Sequence, residues 1–366
     1  MRIAIVGGSL GGLFAAALLR QAGHEIQVFE RSRSGLEGRG AGLVGQREIF
    51  AILRAVGCEH VARVGVVASE RIFIDRSGAV VERQATPQTQ ISWDHLYRSF
   101  RERLSESEHR TGQAVAAVGQ DADSAWLTFE DGRRVEAELI VGADGVGSTV
   151  RAAVTATEDG PRYAGYVAWR GLLPEVDLPD AAADLLLDRF TFFNLPRSHM
   201  LGYVVAGPGG EVARGQRRYN WVWYRPVSEL ASALTDRDGR VHRFSLSPGR
   251  VPEGARDKLR ADARELLPTA FVQAIAAEPT PFVQAIFDYE APRMVRGRIA
   301  LLGDSAFVAR PHTAMGVAKA AGDALAFAAA LSTETWPAAL PAYEAERAPV
   351  GRAIVAYGRR LGRAFE

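Results

Sequence analysis

Gly7, Ser9 and Gly12 sit in the stretch IAIVGGSLGG, directly behind a short apolar run, and Glu30 closes the next such run. These residue types at this spacing can hold a nucleotide. Gly7 makes a tight turn, Gly12 lets a helix lie close to a strand, and the middle position must admit a pyrophosphate to the amides at a helix start. Serine there is the smallest residue that keeps a Cβ, and its hydroxyl can donate to phosphate. Gly8 and Gly11 add backbone freedom. Glu30 would accept hydrogen bonds from ribose hydroxyls and repel a 2′-phosphate, so the turn suits FAD or NAD rather than NADP.

His312, beside Pro311, can accept a phenolic proton or bond a substrate; the alternative is a loop histidine satisfied by backbone. Arg310 can attract an anion or pair with an acid. Lys258 and Lys319 are the only lysines, so Schiff-base chemistry is poorly supplied. Cys58 is the only cysteine, which excludes a disulfide and a cysteine metal site; no metal is expected.

The elements that must position these groups follow from the pattern. Arg2 to Val6 reads as a buried parallel strand and Leu13 to Gln21 as a helix whose alanines let it lie close to a sheet. Gly23 is a helix stop, and Glu25 to Glu30 is a second strand. Strand, glycine turn, helix, strand and acid fall within about 30 residues, as the dinucleotide fold requires. Leu139 to Val141 is another strand, after a hairpin turning at Asp131-Gly132, and leads into a glycine loop with Ser148 as helix cap. Arg298 to Leu302 is a buried strand, Gly303-Asp304 a turn, and the alanine-rich run from about Gly316 a helix. That helix start would aim amides and a positive dipole end at whatever lies before it.

From Tyr163 to about Tyr289 the texture changes. Large residues alternate at period two in RFTFFNLP, HMLGYVVAG and RRYNWVWYRPV, which predicts an antiparallel sheet with one apolar face. Ile72 to Ser92 is expected to add strands to it, and Glu253 to Leu267 reads as an amphipathic helix. Arg170, Phe193, Tyr203 and Trp223 are candidates to line a substrate cavity; core packing is the competing reading for each aromatic.

Composition agrees with an ordinary globular chain: 366 residues, 47% hydrophobic, 24% charged, formal net charge +1. Nothing favours nucleic acid or an anionic membrane. No apolar stretch reaches a span of about 20 residues, and Met1 leads straight into a strand, so the expectation is a cytoplasmic protein with no signal peptide.

Three signatures in order, the N-terminal glycine turn, GADG within LIVGADGVGSTVR, and GD within GDSAFVARPHTAMGVAKA, resemble the class A flavoprotein aromatic hydroxylases, the para-hydroxybenzoate hydroxylase superfamily. GGSLGG and YAGYVAWRG are most similar to its dihydroxypyridine-hydroxylating branch. The resemblance implies an α/β fold: a Rossmann-like FAD-binding domain with a doubly wound parallel sheet and an inserted antiparallel-sheet substrate domain. The divisions expected are 1–71, 94–162 and 291–366 for the FAD-binding domain, 72–93 for strands lent to the substrate domain, and 163–290 for that domain.

By the same resemblance, Ser9, Leu10 and Gly12 with Gly7 hold the FAD pyrophosphate, Glu30 and Arg31 the ribose side, and Asp304 the ribityl chain or pyrophosphate side. Gly42 and Leu43 touch the flavin region. Asp144 lies in a motif tied to FAD and the pyridine nucleotide. Pro311, Ala314, Met315, Gly316 and Val317 meet the isoalloxazine. The sequence departs from the family at Phe307, Ala314, Ala318, Trp93 and Gly40, where His, Gly, Asn, Arg and Arg are usual; Arg98 or Arg39 can compensate.

The implied function is an FAD-dependent monooxygenase that hydroxylates an electron-rich aromatic or N-heteroaromatic ring through a C4a-hydroperoxyflavin, using O2 and NADH or NADPH. The reductant would bind transiently, since no second glycine-turn unit is present. The partners implied are a small aromatic substrate and O2, with a homodimer common among such proteins. Rival readings are a flavin-dependent halogenase, since WVWYRP resembles a halogenase motif although no lysine precedes Lys258; a flavin reductase or dehydrogenase; and a non-catalytic FAD- or NAD-binding protein.

Overall fold

The structure is a computed structural model, and it describes residues 1–36, 38, 42–63, 65–157 and 159–365, the side chains of residues 62 and 63 excepted. Arg39 and Gly40 lie outside the described residues. Two large sheets organise the chain. The first has six strands in the order Val295–Arg296, Ile299–Leu301, Leu139–Gly142, Arg2–Val6, Glu25–Phe29 and His109–Arg110. All neighbours run parallel except the first pair. Its central strands are apolar and buried on both faces, as a covered parallel sheet demands. Helix Leu10–Gln21 packs on it and helix Gly316–Thr333 packs on that helix, with Ala320 over Gly11; their alanines and glycines allow close approach.

The second sheet carries the aromatic sequence. Its order is Ser245–Leu246, Phe282–Glu290, Arg162–Pro174, Arg218–Pro226, Ser198–Val205, Phe190–Leu195, Arg71–Ile74 and Val80–Gln84, with Phe307–Val308 joining the end of Phe282–Glu290. Pairing is antiparallel except between Phe190–Leu195 and Arg71–Ile74. One face is closed by helices Asp180–Leu186, Glu253–Leu266 and Thr269–Ala277, whose apolar residues share a core with Trp169, Trp221 and Trp223.

The expected run of strands over 72–93 divides. Arg71–Ile74 and Val80–Gln84 join the aromatic sheet, but Gln88–Ser92 lies between Gly42–Val44 and Val66–Ala68 in a separate three-stranded sheet. The reason is in its two faces: Ile91 enters the core of the nucleotide-binding part, while Ser92 on the other face accepts a hydrogen bond from Arg218 of the aromatic sheet.

Candidate active site

The glycine turn is built for close contact. Gly7 has φ +106, and a Cβ on it would lie 2.4 Å from the Ala143 carbonyl oxygen; a Cβ on Gly12 would lie 1.9 Å from the Gly7 carbonyl oxygen. Only glycine permits either approach. Ser9 is the N-cap of Leu10–Gln21, yet its hydroxyl makes no capping hydrogen bond, and Leu10 is buried behind it. Glu30 is buried; its carboxylate accepts the Gly8 N–H at 2.9 Å and the Ser32 N–H at 2.7 Å. Arg31 is exposed.

The other two signature loops are fastened to one another. Asp144 accepts from the Ser148 hydroxyl at 2.5 Å and from the amides of Thr149 and Val150, so it caps the short helix Val150–Thr155 together with Ser148, whose hydroxyl takes the Arg151 N–H. Arg151 then donates to the carbonyls of Val146, Gly145, Asp304 and Ser305. One guanidinium thus welds the GADG loop to the GD turn. Below that turn Lys319, with 0% of its side chain exposed, stands 3.6 Å from the Asp304 carboxylate and 3.8 Å from that of Asp323. Arg98 lies in the helix Trp93–Arg101 and donates to the Pro208 carbonyl.

Residues 311–317 bring the nucleotide part against the aromatic sheet. Ala314 has φ +53, the left-handed conformation that favours the glycine usual there, and its carbonyl accepts from Gln46. Gly316, exposed, and half-buried Val317 begin the helix Gly316–Thr333 behind Met315, and no side chain caps that start. Pro311 is exposed, and next to it His312 reaches the sheet. Its Nε2 lies 2.8 Å from the Tyr166 hydroxyl, and its ring lies 4.1 Å from Tyr224 and stacks on Phe365 at 4.7 Å, centroid to centroid. Burial among these rings, with His199 and Arg310 nearby, lowers the His312 pKa to about 3; burial lowers that of His199 to about 4. Both imidazoles are neutral near pH 7. Arg310 forks onto Asp288, with 2.8 Å between Nη2 and Oδ2 and both residues buried, so it serves the acid-pairing alternative.

Register fixes which residues face this loop. Tyr166, Ala168, Arg170 and Leu172 alternate with Val167, Trp169 and Leu173; Asn220, Val222 and Tyr224 alternate with Tyr219, Trp221 and Trp223. The second set of each packs against the helices. Two expected substrate residues are therefore corrected. Phe193 and Trp223 lie in one lateral row with Met200 and Trp169 on the helix-covered face, away from the loop 311–317. Arg170 and Tyr203 lie on the facing side, where Tyr203 donates to the Gly42 carbonyl at 3.0 Å. Gly42 crosses so close that a Cβ would lie 2.3 Å from the Tyr203 ring. Leu43, beside it, is half-buried.

Comparison with known proteins agrees with this geometry. A family model described as an NAD(P)-binding Rossmann-like domain matches residues 5–39, and one described as FAD binding domain-like matches residues 163–288. The chain is 35% identical to 2,6-dihydroxypyridine 3-monooxygenase of Paenarthrobacter nicotinovorans, over 88% of this chain and 81% of that protein. The chain belongs to the FAD-dependent aromatic monooxygenases. It is also 30% identical to 3-amino-4-hydroxybenzoate 2-monooxygenase of Streptomyces cremeus, over 100% of this chain and 88% of that one. The solved structure of 2,6-dihydroxypyridine-3-hydroxylase from Arthrobacter nicotinovorans superposes with a TM-score of 0.92 at 31% identity, covering 98% of this chain and 91% of that one.

The residues of this monooxygenase fit FAD. The Ser9 hydroxyl is unengaged at a helix start, and the glycine cradle leaves no room for a Cβ on the protein side. A second uncapped helix start, at Gly316, follows the loop that meets the aromatic face. Sequence reasoning missed Arg151, Tyr166, Tyr224 and Phe365. The arginine gave no signal beyond its position after GADG. The tyrosines alternate correctly with Val167 and Trp223, but alternation does not say which set faces the loop. Phe365 reaches the site from the end of the long helix Trp336–Gly362, through the turn Arg363–Phe365, and nothing local announces it.

Proposed function

We propose that this chain hydroxylates an electron-rich N-heteroaromatic ring, a hydroxylated pyridine or a close equivalent, with NADH or NADPH as reductant and O2 as the source of the oxygen. The reading is supported by the likeness to an enzyme named for a dihydroxypyridine. The observation that carries it is the meeting of the loop 311–317 with the aromatic face at His312, Tyr166 and Tyr224.

Ser9 and the first amides of Leu10–Gln21 would hold the FAD pyrophosphate, with Gly7 and Gly12 keeping the turn tight. Glu30 would hold the adenosine ribose, with Arg31 at its side, and Asp304 the ribityl side. Gly42 and Leu43, Pro311 and Ala314 to Val317 would flank the flavin ring; Asp144 and Arg98 would support the loops beside it. Bound FAD supplies the chemistry of oxygen activation and transfer to the ring. The chain supplies position, dryness and proton handling. The uncapped amides at Gly316 favour negative charge in front of them. His312 is neutral, so its Nε2 can accept the Tyr166 hydroxyl proton; a substrate hydroxyl drawn to this pair would be polarised toward the oxyanion, the more nucleophilic form. Tyr224 and Phe365 keep water from the face, which limits wasteful peroxide release.

The test is direct. The purified protein with FAD should show flavin absorbance, oxidise NADH or NADPH faster when a hydroxypyridine is added, and give a product carrying one oxygen atom from isotopically heavy O2. A protein that takes up no FAD, or that turns all consumed O2 into hydrogen peroxide with every ring offered, would refute this reading.

A further inference from the structure

The face of the aromatic sheet opposite the helices carries more polar equipment than ring hydroxylation itself requires. Successive same-face residues along a strand are about 7 Å apart. Three lateral rows can be followed from the loop 311–317 outward. The first holds His199, Tyr224 and Ala168; the second Phe192, Leu201, Val222 and Arg170; the third Tyr203, Asn220 and Leu172. Phe192, Leu201, Arg170 and Leu172 are only half-buried, while their neighbours on the helix side, Phe193, Met200, Trp223 and Leu173, are buried. The strip between Tyr224 and Asn220 is thus about 14 Å long and is floored by Val222 and Leu201.

Three polar groups on or beside it have side-chain atoms with no hydrogen-bond partner among the described residues. Arg170 makes no hydrogen bond or ion pair among the described residues; its Nε is buried and unbonded, and its guanidinium carbon lies 5.6 Å from the Phe282 ring and within electrostatic reach of the Tyr203 and Tyr224 hydroxyls. Asn220 is 0% exposed, and neither its Oδ1 nor its Nδ2 is bonded. Gln90 repeats this: 0% exposed, with both amide atoms unbonded. Gln90 shares a strand face with Ser92, whose hydroxyl accepts from Arg218 at 3.1 Å; Arg218 shares a strand face with Asn220. The two carboxamides therefore belong to the same end of the strip, beyond Arg170. A buried unbonded amide costs about 1–3 kcal/mol, so these groups gain from any polar ligand that meets them.

We infer that Arg170, Asn220 and Gln90 read the polar edge of the substrate, selecting a ring with adjacent N–H and C=O groups, as in a pyridone or cyclic imide, that carries or readily takes negative charge. A carboxamide offers one donor and one acceptor side by side, the complement of a lactam edge. A guanidinium adds the charge preference. Arg310 is committed to Asp288 and Arg218 to Asp94, and the two histidines are neutral. The inference rests on the proposed hydroxylase reading and adds to it which residues set ring specificity.

The test uses the full chain loaded with FAD and two probes of matched shape, 2,6-dihydroxypyridine and resorcinol, which differ in the ring nitrogen. Dissociation constants come from the change in flavin absorbance, and thermal midpoints are measured without probe. The parent should prefer the pyridine by about tenfold or more. Asn220→Leu and Gln90→Met should each bring that preference to within about threefold, with thermal midpoints unchanged or raised, because an unsatisfied amide has been replaced by an apolar isostere. Arg170→Met should weaken the more acidic pyridine more than resorcinol. No preference in the parent, or an intact preference with lowered midpoints in both carboxamide variants, would overturn the inference and mark these amides as structural. Either outcome is separable from the hydroxylase reading, which stands or falls on oxygen incorporated into any ring.

Discussion

At the scale of single residues, the histidines give the sharpest pH prediction. His312 and His199 have folded-state pKa values lowered to about 3 and about 4 from 6.5. The unfolded chain takes up protons below 6.5 that the folded chain refuses, so stability falls as pH drops from 6.5 toward 4. His312→Asn should flatten the dependence of thermal midpoint on pH over that window; an unaltered slope would show that His312 is not held neutral. Ser9 gives a second prediction. Its hydroxyl makes no cap bond, so Ser9→Ala should change unfolding free energy without FAD by less than about 0.5 kcal/mol. FAD affinity, measured by fluorescence quenching, should still fall several-fold.

At the scale of elements, the loops depend on a few contacts between segments distant in sequence. Arg151 satisfies four carbonyls in two loops. Arg151→Met strands those acceptors and should cost about 3 kcal/mol or more in denaturant unfolding, with FAD affinity falling alongside. Gly42→Ala should cost about 1–3 kcal/mol by overpacking, because Tyr203 and Val205 fill the space of the new methyl group; a stability equal to the parent's would show that the strand Gly42–Val44 can lift away. The glycine turn, the strand Leu139–Gly142 and the helix Gly316–Thr333 were legible because their signals are local: period, glycine position and helix caps lie within one short window. The capping by Asp144 was not, because it depends on a carboxylate turning forward onto amides further along its own loop. The tie through Arg151 was not, because its acceptors include a turn on another strand.

At the scale of the whole molecule, the aromatic sheet has one face packed against helices and, in the function proposed above, the other for recognition. Trp223→Phe, on the helix-covered face, should lower the thermal midpoint and leave the Michaelis constant for the ring substrate within about twofold. Arg170→Lys, on the other face, should raise that constant with little change in midpoint. The reverse pattern would mean that the faces are exchanged. Period-two alternation announced the sheet but left the choice of face open, so Phe193 and Trp223 were as plausible on paper as Leu201 and Tyr224. What decided it were helices such as Glu253–Leu266, whose apolar stripe has to be covered and takes the tryptophan side.

The buried fork between Arg310 and Asp288 joins the loop beside Pro311 to the strand Phe282–Glu290. Anyone wishing to transplant a foreign recognition sheet into this scaffold must therefore carry the acid at 288 along with it. A chimera lacking it would leave the buried Arg310 without its carboxylate beside the loop 311–317, and would fail there before the new specificity could be read.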